Sequence, residues 1–277
     1  MLIQESMAKL PVTRAVQIVD ATSLSVPGSV GTDYLVHLSL NLGSQGMVEA
    51  KLTEVSQGEG FSHFTFSPGT LVIADRNYGR PRDIAKLQEQ DVDVIVRMKC
   101  SHNGIRDLQG GPFTLLERLG GLKTEEVGDF PVQLFSEGKC VSKGRLIAVE
   151  QTEEATQRAV KKIKRKAQRN SRNTGLNALE AAHYIFVFTT LPEETHSPEQ
   201  ILQLYRLRWE VELSFKRLKS LIALDDLPMK DPNLCRSFLT LKLIAALLIE
   251  KLIARALSFS PEAQAAPVTA VGMLQSI

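Results

Sequence analysis

Between residues 34 and 97 the chain sets out strands of two kinds, and their order limits what it can fold into. "YLVHLSLNL" (34–42) and "MVEAKLTEVS" (47–56) alternate apolar and polar residues, as half-buried strands do. "GSQG" between them reads as a hairpin turn. "LVIA" (71–74) is instead continuously apolar, as a strand covered on both faces requires. It follows a Pro68-Gly69 turn and runs onto Asp75. The helical pattern of "RPRDIAKLQEQ" and a further strand, "DVDVIVRMK", come next. Upstream, "QIVD" closes another short apolar run at Asp20. A meander of alternating strands followed by strands interleaved with helices predicts an α/β chain built on a mixed sheet flanked by helices.

That rhythm breaks after residue 100. Glycines at 104, 110, 111, 120, 121 and 128 divide short segments, "GRLIAVE" and "HYIFVFTTL" read as strands, and a basic helix lies between them. The expected organisation is a first part of the core over 1–100 and a β-rich insertion over 101–192. A helical remainder of the core follows over 193–257, then a Pro- and Ala-rich tail over 258–277 that is expected to be poorly ordered. The helical part opens on Ser197, Pro198 and Gln200, a capping box with proline in the first turn. With 277 residues, 43% of them hydrophobic, the chain can bury a sizeable core. Three widely spaced cysteines suit a reducing compartment. Cys100 and His102 have no second pair to complete a metal site, so they read as a buried thiol near a loop histidine. No signal peptide is read at the start. "LTLKLIAALLIEKLIARAL" is broken by Lys242, Glu250, Lys251 and Arg255, and its longest uncharged run, Leu243 to Ile249, is too short for a bilayer. It reads as a core helix, with no membrane partner.

Net charge is only +2, but charge is unevenly placed. From Arg158 to Arg172 there are eight Lys or Arg and no acid. Lys161, Lys162, Lys164, Arg165, Lys166 and Arg169 are expected to meet DNA phosphates without reading sequence, against the plainer possibility of a solvated basic helix. Three carboxylates stand out by position: Asp20 and Asp75 at the ends of apolar runs, and Glu212 inside "YRLRWEVELSFKRLKSL" (205–221). Read as one helix at about 100° per residue, that stretch puts Tyr205, Arg208, Glu212 and Lys219 in one polar stripe beside the apolar face. Arg206, Glu210 and Arg217 then point towards solvent. Oxygen ligands of this kind suit Mg²⁺ or Mn²⁺, and two such ions can activate a nucleophile and stabilise the leaving oxygen of a phosphodiester. Taken singly, each residue has an ordinary explanation. The aspartates could form turns, Glu212 could pair with Arg208, Tyr205 could be a half-buried aromatic, Lys219 a solvated lysine, and Trp209 a core or rim residue.

Together they resemble a family. Tyr205, Arg208, Glu212 and Lys219, in that spacing, are similar to the signature of bacterial DDE transposases of the insertion-sequence-four family. "VDATSL" and "ADRNYG" resemble its two aspartate motifs, and the likeness covers roughly residues 12 to 255. The resemblance implies an RNase H-like fold with a β-rich insertion before the glutamate helix. It implies cut-and-paste DNA transposition, with Asp20, Asp75 and Glu212 converging to hold two divalent ions. Water would nick the transposon end, and the freed 3′-hydroxyl would attack the opposite strand or the target. Tyr205, Arg208 and Lys219 would grip flanking phosphates. The partners would be double-stranded DNA, as transposon ends and target, and a second copy of the chain in a homodimer assembled on that DNA. The setting would be the bacterial cytoplasm at the nucleoid. Family members generally carry an N-terminal domain that recognises the terminal repeats, and with 19 residues before Asp20 the chain is expected to lack it. The alternatives are a non-catalytic nucleic-acid-binding remnant and an RNase H-like nuclease without strand transfer.

Overall fold

The computed structural model describes residues 14–44, 46–98, 104–119, 126–169 and 176–258. Residues 1–13, the Cys100–His102 pair, Arg172 and the tail beyond Ser258 lie outside the described residues. By compactness the chain divides into two units. One comprises residues 1–13, 20–58 and 210–277, the other residues 14–19 and 59–209.

Nine strands form among the described residues: β1 Val16–Leu24, β2 Tyr34–Asn41, β3 Gly46–Glu54, β4 Leu71–Ala74, β5 Asp93–Arg97, β6 Ile105–Arg106, β7 Gly128–Ser136, β8 Lys139–Glu150 and β9 Tyr184–Thr189. Their hydrogen-bonded order is β3-β2-β1-β4-β5-β9-β8-β7-β6. β1, β4 and β5 are parallel, whereas β2–β3 and the run β5–β9–β8–β7–β6 are antiparallel. This is the expected mixed sheet, and its first five strands have the RNase H-like order. The segment read as an insertion does not fold as a sheet of its own, because β9 pairs with β5 on one side and β8 on the other. One reading needs correction here. Asp20 does not end β1, which continues to Leu24; it is the first residue beyond the part of β1 that pairs with β4.

Within the second unit, α1 (Pro81–Glu89) covers β5, β7 and β8. The apolar run of β4 is fully buried because both faces of the sheet are covered there. Beneath it lies an aromatic cluster that the sequence pattern did not announce. Phe61, Phe64, Phe66 and Tyr78 are all buried, with Phe61 and Tyr78 centroids 5.2 Å apart. Two turns behave as composition suggests. Gly69, after Pro68, adopts φ +77°, and Glu137-Gly138 close the β7–β8 hairpin with both φ values positive. Among the described residues, the remaining α-helices of this unit are α2 (Leu115–Leu119), α3 (Glu153–Arg169), α4 (Leu176–Glu180) and α5 (Pro198–Arg206).

The first unit contains the β2–β3 hairpin, α6 (Trp209–Leu221) from Glu210 onward and α7 (Pro232–Ser258), with α7 packed on β3. Met47 N donates to Glu250 at 2.7 Å, and Tyr34 donates to the Pro232 carbonyl at 2.8 Å. The core-helix reading of α7 holds for one face only. Cys235, Leu239, Leu243 and Ala246 are buried, but Leu241, Leu248 and Leu252 are more than half exposed. Over Pro232–Ile253 the helix is long and apolar enough to cross a membrane, with 22% of the tested stretch buried. Glu250 and Lys242 argue for packing against protein, since Lys242 also donates to the Asp226 carbonyl at 2.9 Å.

The aromatic cluster yields a stability prediction. Phe61→Ala should remove about 3–5 kcal/mol. In urea unfolding, the midpoint should move to lower denaturant, with the parent as reference.

Candidate active site

The parallel register sets the level of several charged residues. Val19 pairs with Ala74, and Ala74 pairs with Val96. Asp20, Asp75 and Arg97 are each the next residue along their chains. Asp75 opens a turn in which Tyr78 N donates to the Asp75 carbonyl at 3.0 Å and Gly79 N to the Arg76 carbonyl at 3.3 Å. The Tyr78 ring anchors this turn in the aromatic cluster. A side chain at Gly79 would put Cβ 2.8 Å from Met98 Sδ and 3.2 Å from the Arg97 carbonyl. The turn therefore lies against the end of β5 because residue 79 has no side chain. Asn77 donates to Glu59 at 3.0 Å and braces the same turn.

Facing this turn is the C-terminal end of α5. The predicted capping box is present: Ser197 Oγ accepts from Gln200 N at 3.3 Å, and Gln200 Oε1 accepts from Ser197 N at 2.9 Å. At its other end α5 stops at Arg206, and Leu207 N and Arg208 N bond the carbonyls three residues back, both at 3.1 Å. Such bonds tighten the chain to about three residues per turn. The single helix expected over 205–221 is therefore two, α5 and α6, and the wheel that phased all four polar residues together does not run through the break. Tyr205 and Arg208 belong with α5 and its terminal turn, and Glu212 and Lys219 with α6.

Tyr205 reports what surrounds it. Its hydroxyl is buried and has no acceptor in hydrogen-bonding geometry among the described residues, while the Arg208 side chain lies close enough to act on its oxygen. Burial first, then the Asp75 carboxylate, pushes its pKa up to about 12, while Arg208 and Arg97 pull the other way. The Arg208 guanidinium carbon sits 6.0 Å from the centroid of the Tyr205 ring. Asp75, Tyr205, Arg208 and Arg97 thus share one locus in the second unit. The sequence reading named the first three and missed Arg97. The available signal was a charge closing the apolar strand "DVIVR", one residue past the position level with Ala74.

The other expected residues are placed as follows. Asp20 Oδ1 accepts from Ala21 N at 2.9 Å, and Asp20 is half-buried in the first unit. Glu212 and Lys219 are half-buried on α6 of that unit. Glu210 was expected to face solvent, but it is half-buried, and burial raises its pKa with Arg217 opposing. Trp209 is 50% exposed, which suits a rim position. Among the described residues, no group of three or more His, Cys, Asp or Glu is gathered as a metal-holding cluster. Lys161, Lys162, Lys164, Arg165 and Arg169 are exposed on α3; Lys166 lies in the same helix, and its side chain is outside the described part.

Residues 12–248 match the model of a family described as the transposase DDE domain. The chain belongs to the DDE transposase family. The transposase for insertion sequence element IS421 of Escherichia coli is 32% identical over 255 residues, covering 90% of this chain and 68% of that protein. The transposase for insertion sequence element IS231F of Bacillus thuringiensis subsp. israelensis is 28% identical over 184 residues, covering 58% of this chain and 37% of its own. Among solved structures, the catalytic domain of human endonuclease V aligns with 79% of this chain and 86% of its own at 11% identity, with a TM-score of 0.32. DDE transposases act on DNA, in general with divalent metal ions, and this chain is a transposase domain of the insertion-sequence kind.

The environment of Tyr205 sets a pH expectation. An unfolded tyrosine ionises near 10. The folded chain holds this proton up to about 12, so its contribution to stability is complete below pH 10 and is lost as pH rises through that window. Ultraviolet difference titration of the parent against Tyr205→Phe should isolate a late transition near 12. A midpoint near 10 would overturn the burial of the Tyr205 hydroxyl, the larger cause of the shift, along with the influence of Asp75.

Proposed function

We propose that Asp20, Asp75 and Glu212 are the metal-holding carboxylates of this transposase and that Tyr205, Arg208 and Lys219 hold the phosphates of the DNA end. The observation that carries this reading is the locus where the buried Tyr205 hydroxyl, Arg208 and Arg97 meet Asp75. The donor set fits a hard cation: three carboxylates, oxygen ligands only, each in a half-buried residue. Two ions, Mg²⁺ or Mn²⁺, would supply nucleophile activation and charge neutralisation at the leaving oxygen.

The roles of the protein groups follow from their protonation and charge. Tyr205 is a neutral hydroxyl throughout the physiological range, with a donor available for a phosphate oxygen. Arg208, with Arg97 beside it, offers charge-assisted bonds to the same phosphate. Lys219 would act as a point charge further along the strand. In the first step water displaces the 3′ oxygen of the transposon end, leaving a 3′-hydroxyl and a 5′-phosphate. In the second that 3′-hydroxyl attacks a phosphodiester of the opposite strand or the target, one ester bond forming as another breaks. The exposed cations of α3 would hold the DNA backbone away from the reacting bond. In this reading residues 101–192 are the insertion that carries this contact. The partner is double-stranded DNA at the nucleoid, and the assembly on two transposon ends is a homodimer.

Two experiments test the reading. On a pre-nicked duplex at high concentration with Mn²⁺, Glu212→Gln should lower cleavage by orders of magnitude, since one ligating charge is removed while size is kept. Glu210→Gln should leave cleavage nearly intact. Replacing a carboxylate whose pKa burial already raises should also be neutral or mildly stabilising at neutral pH. Equal losses in both variants would return Glu212 to a salt-bridge role. Separately, changing Lys161, Lys162, Lys164, Arg165 and Arg169 to Ala should flatten the slope of log affinity against log salt by up to about 0.9 for each phosphate that is no longer neutralised. An unchanged slope would leave α3 as a solvated helix.

A further inference from the structure

A single buried arginine spans the loop that launches α5. Arg145, on β8, is 7% exposed. Its Nε donates to both carboxylate oxygens of Asp129 at 3.1 Å, and Nη2 donates to Asp129 as well. Its Nη1 donates to the carbonyl of Leu191 at 3.3 Å and to that of His196 at 2.9 Å. Leu191 lies two residues beyond β9, and His196 immediately precedes the N-cap Ser197. One guanidinium thus grips both ends of the loop from β9 to α5. The strand side of the loop is pinned independently. Thr190 donates to Asp93 and accepts from Val94 N at 3.0 Å, and Arg14 bonds Asp93 at 2.7 Å.

A buried ion pair seldom adds stability over an apolar pair of the same volume. The arrangement gains geometry instead. A planar fork bonded to three residues holds a loop at fixed distance and angle, which a lysine ammonium cannot do. The strand carrying Arg145 is brought in tightly enough for this. A side chain at Gly144 would place Cβ 2.3 Å from the Thr189 carbonyl, so glycine lets β8 reach the end of β9. From Ser197 the capping box starts a nine-residue helix whose far end carries Tyr205 and leads into Arg208. Over about 13 Å of rigid helix, orientation at the start becomes position at the end.

We propose that Arg145 is a positioning residue for DNA cleavage, holding the loop 191–196 so that α5 presents Tyr205 and Arg208 beside Asp75. The role rests on the reading of Tyr205 and Arg208 as phosphate-holding groups. A misplacement near 1 Å at such groups costs about 100-fold in rate.

Arg145→Lys keeps the buried positive charge opposite Asp129 but removes the fork. The full chain would be assayed on the pre-nicked duplex with Mn²⁺, together with thermal unfolding and quenching of Trp209, the single tryptophan, which directly follows the turn after α5. The expected result is a folded protein with a modestly lowered unfolding midpoint, from the carbonyls of Leu191 and His196 that lose their donor, and a nearly unchanged KM for DNA. Its kcat should be about 10–100-fold lower, and the quenching of Trp209 altered. Unchanged kcat and unchanged quenching in the folded variant would overturn the proposal. Asp129→Asn with Arg145→Gln removes both charges together and serves if the lysine variant does not fold, with the same expectations. Failure of both to fold would make Arg145 a stabilising residue only and end the proposal. Tyr205→Phe and Arg208→Ala, run alongside, separate the two readings. If they cleave normally, the phosphate-holding reading fails; if they lose cleavage and Arg145→Lys does not, the clamp alone fails.

Discussion

The parallel pairing of β1, β4 and β5 is the constraint on which the candidate chemistry depends. Its register, Val19 with Ala74 and Ala74 with Val96, leaves Asp20, Asp75 and Arg97 as the next residues along three neighbouring stretches. Parallel strands need crossover connections, and both faces of such a sheet are covered. Side chains within the paired stretches are therefore enclosed, as the four buried residues of β4 illustrate. Polar chemistry is displaced to the carboxyl ends of the strands, the usual ligand position of open α/β sheets. A one-residue slip of β4 would draw Asp75 into the enclosed, paired stretch and bury it without water.

What could be read in advance was what is encoded locally. The alternating hairpin, the apolar β4, α1 and the capping box at Ser197 each rest on a few contiguous residues, and each is present. The aspartate and helix motifs were legible for the same reason. What escaped depends on distant partners. Arg97 is an unremarkable strand-end charge until β4 is placed beside β5. Phe61, Phe64 and Phe66 lie in a short irregular stretch with no periodicity, and only Tyr78 and the sheet give them a core. The break at Leu207–Arg208 falls inside a strongly helical pattern, where a helix wheel has no means of registering a switch to bonds three residues back. The apolar face of α7 misled differently, since hydrophobicity alone does not say how much of a helix finds a surface to cover.

Strands β6–β9 have a mechanical as well as a topological consequence. Because β9 is held between β5 and β8, the loop leaving its end is anchored to the same sheet that carries Asp75. Arg145 and the Arg14–Asp93–Thr190 group fasten that loop from two sides. The same cations act on His196: burial first, then Arg14 and Arg145, hold its pKa below the usual value despite Asp93. The imidazole is neutral at physiological pH, so no further positive charge enters a buried neighbourhood where the arginines already need their carboxylates.

Around Tyr205 the opposing electrostatic effects explain how a buried hydroxyl can remain useful. Burial and Asp75 both disfavour the phenolate, and Arg97 and Arg208 favour it without prevailing, so the group stays a donor. A donor left without an acceptor in a buried position costs about 1–3 kcal/mol. The neighbouring arginines, which are donors too, cannot relieve that cost. On the proposed reading, a phosphate oxygen would give Tyr205 its acceptor while Arg208 and Arg97 add charge-assisted bonds to the same group. A DNA phosphate bound here would thereby recover the penalty of the buried Tyr205 hydroxyl.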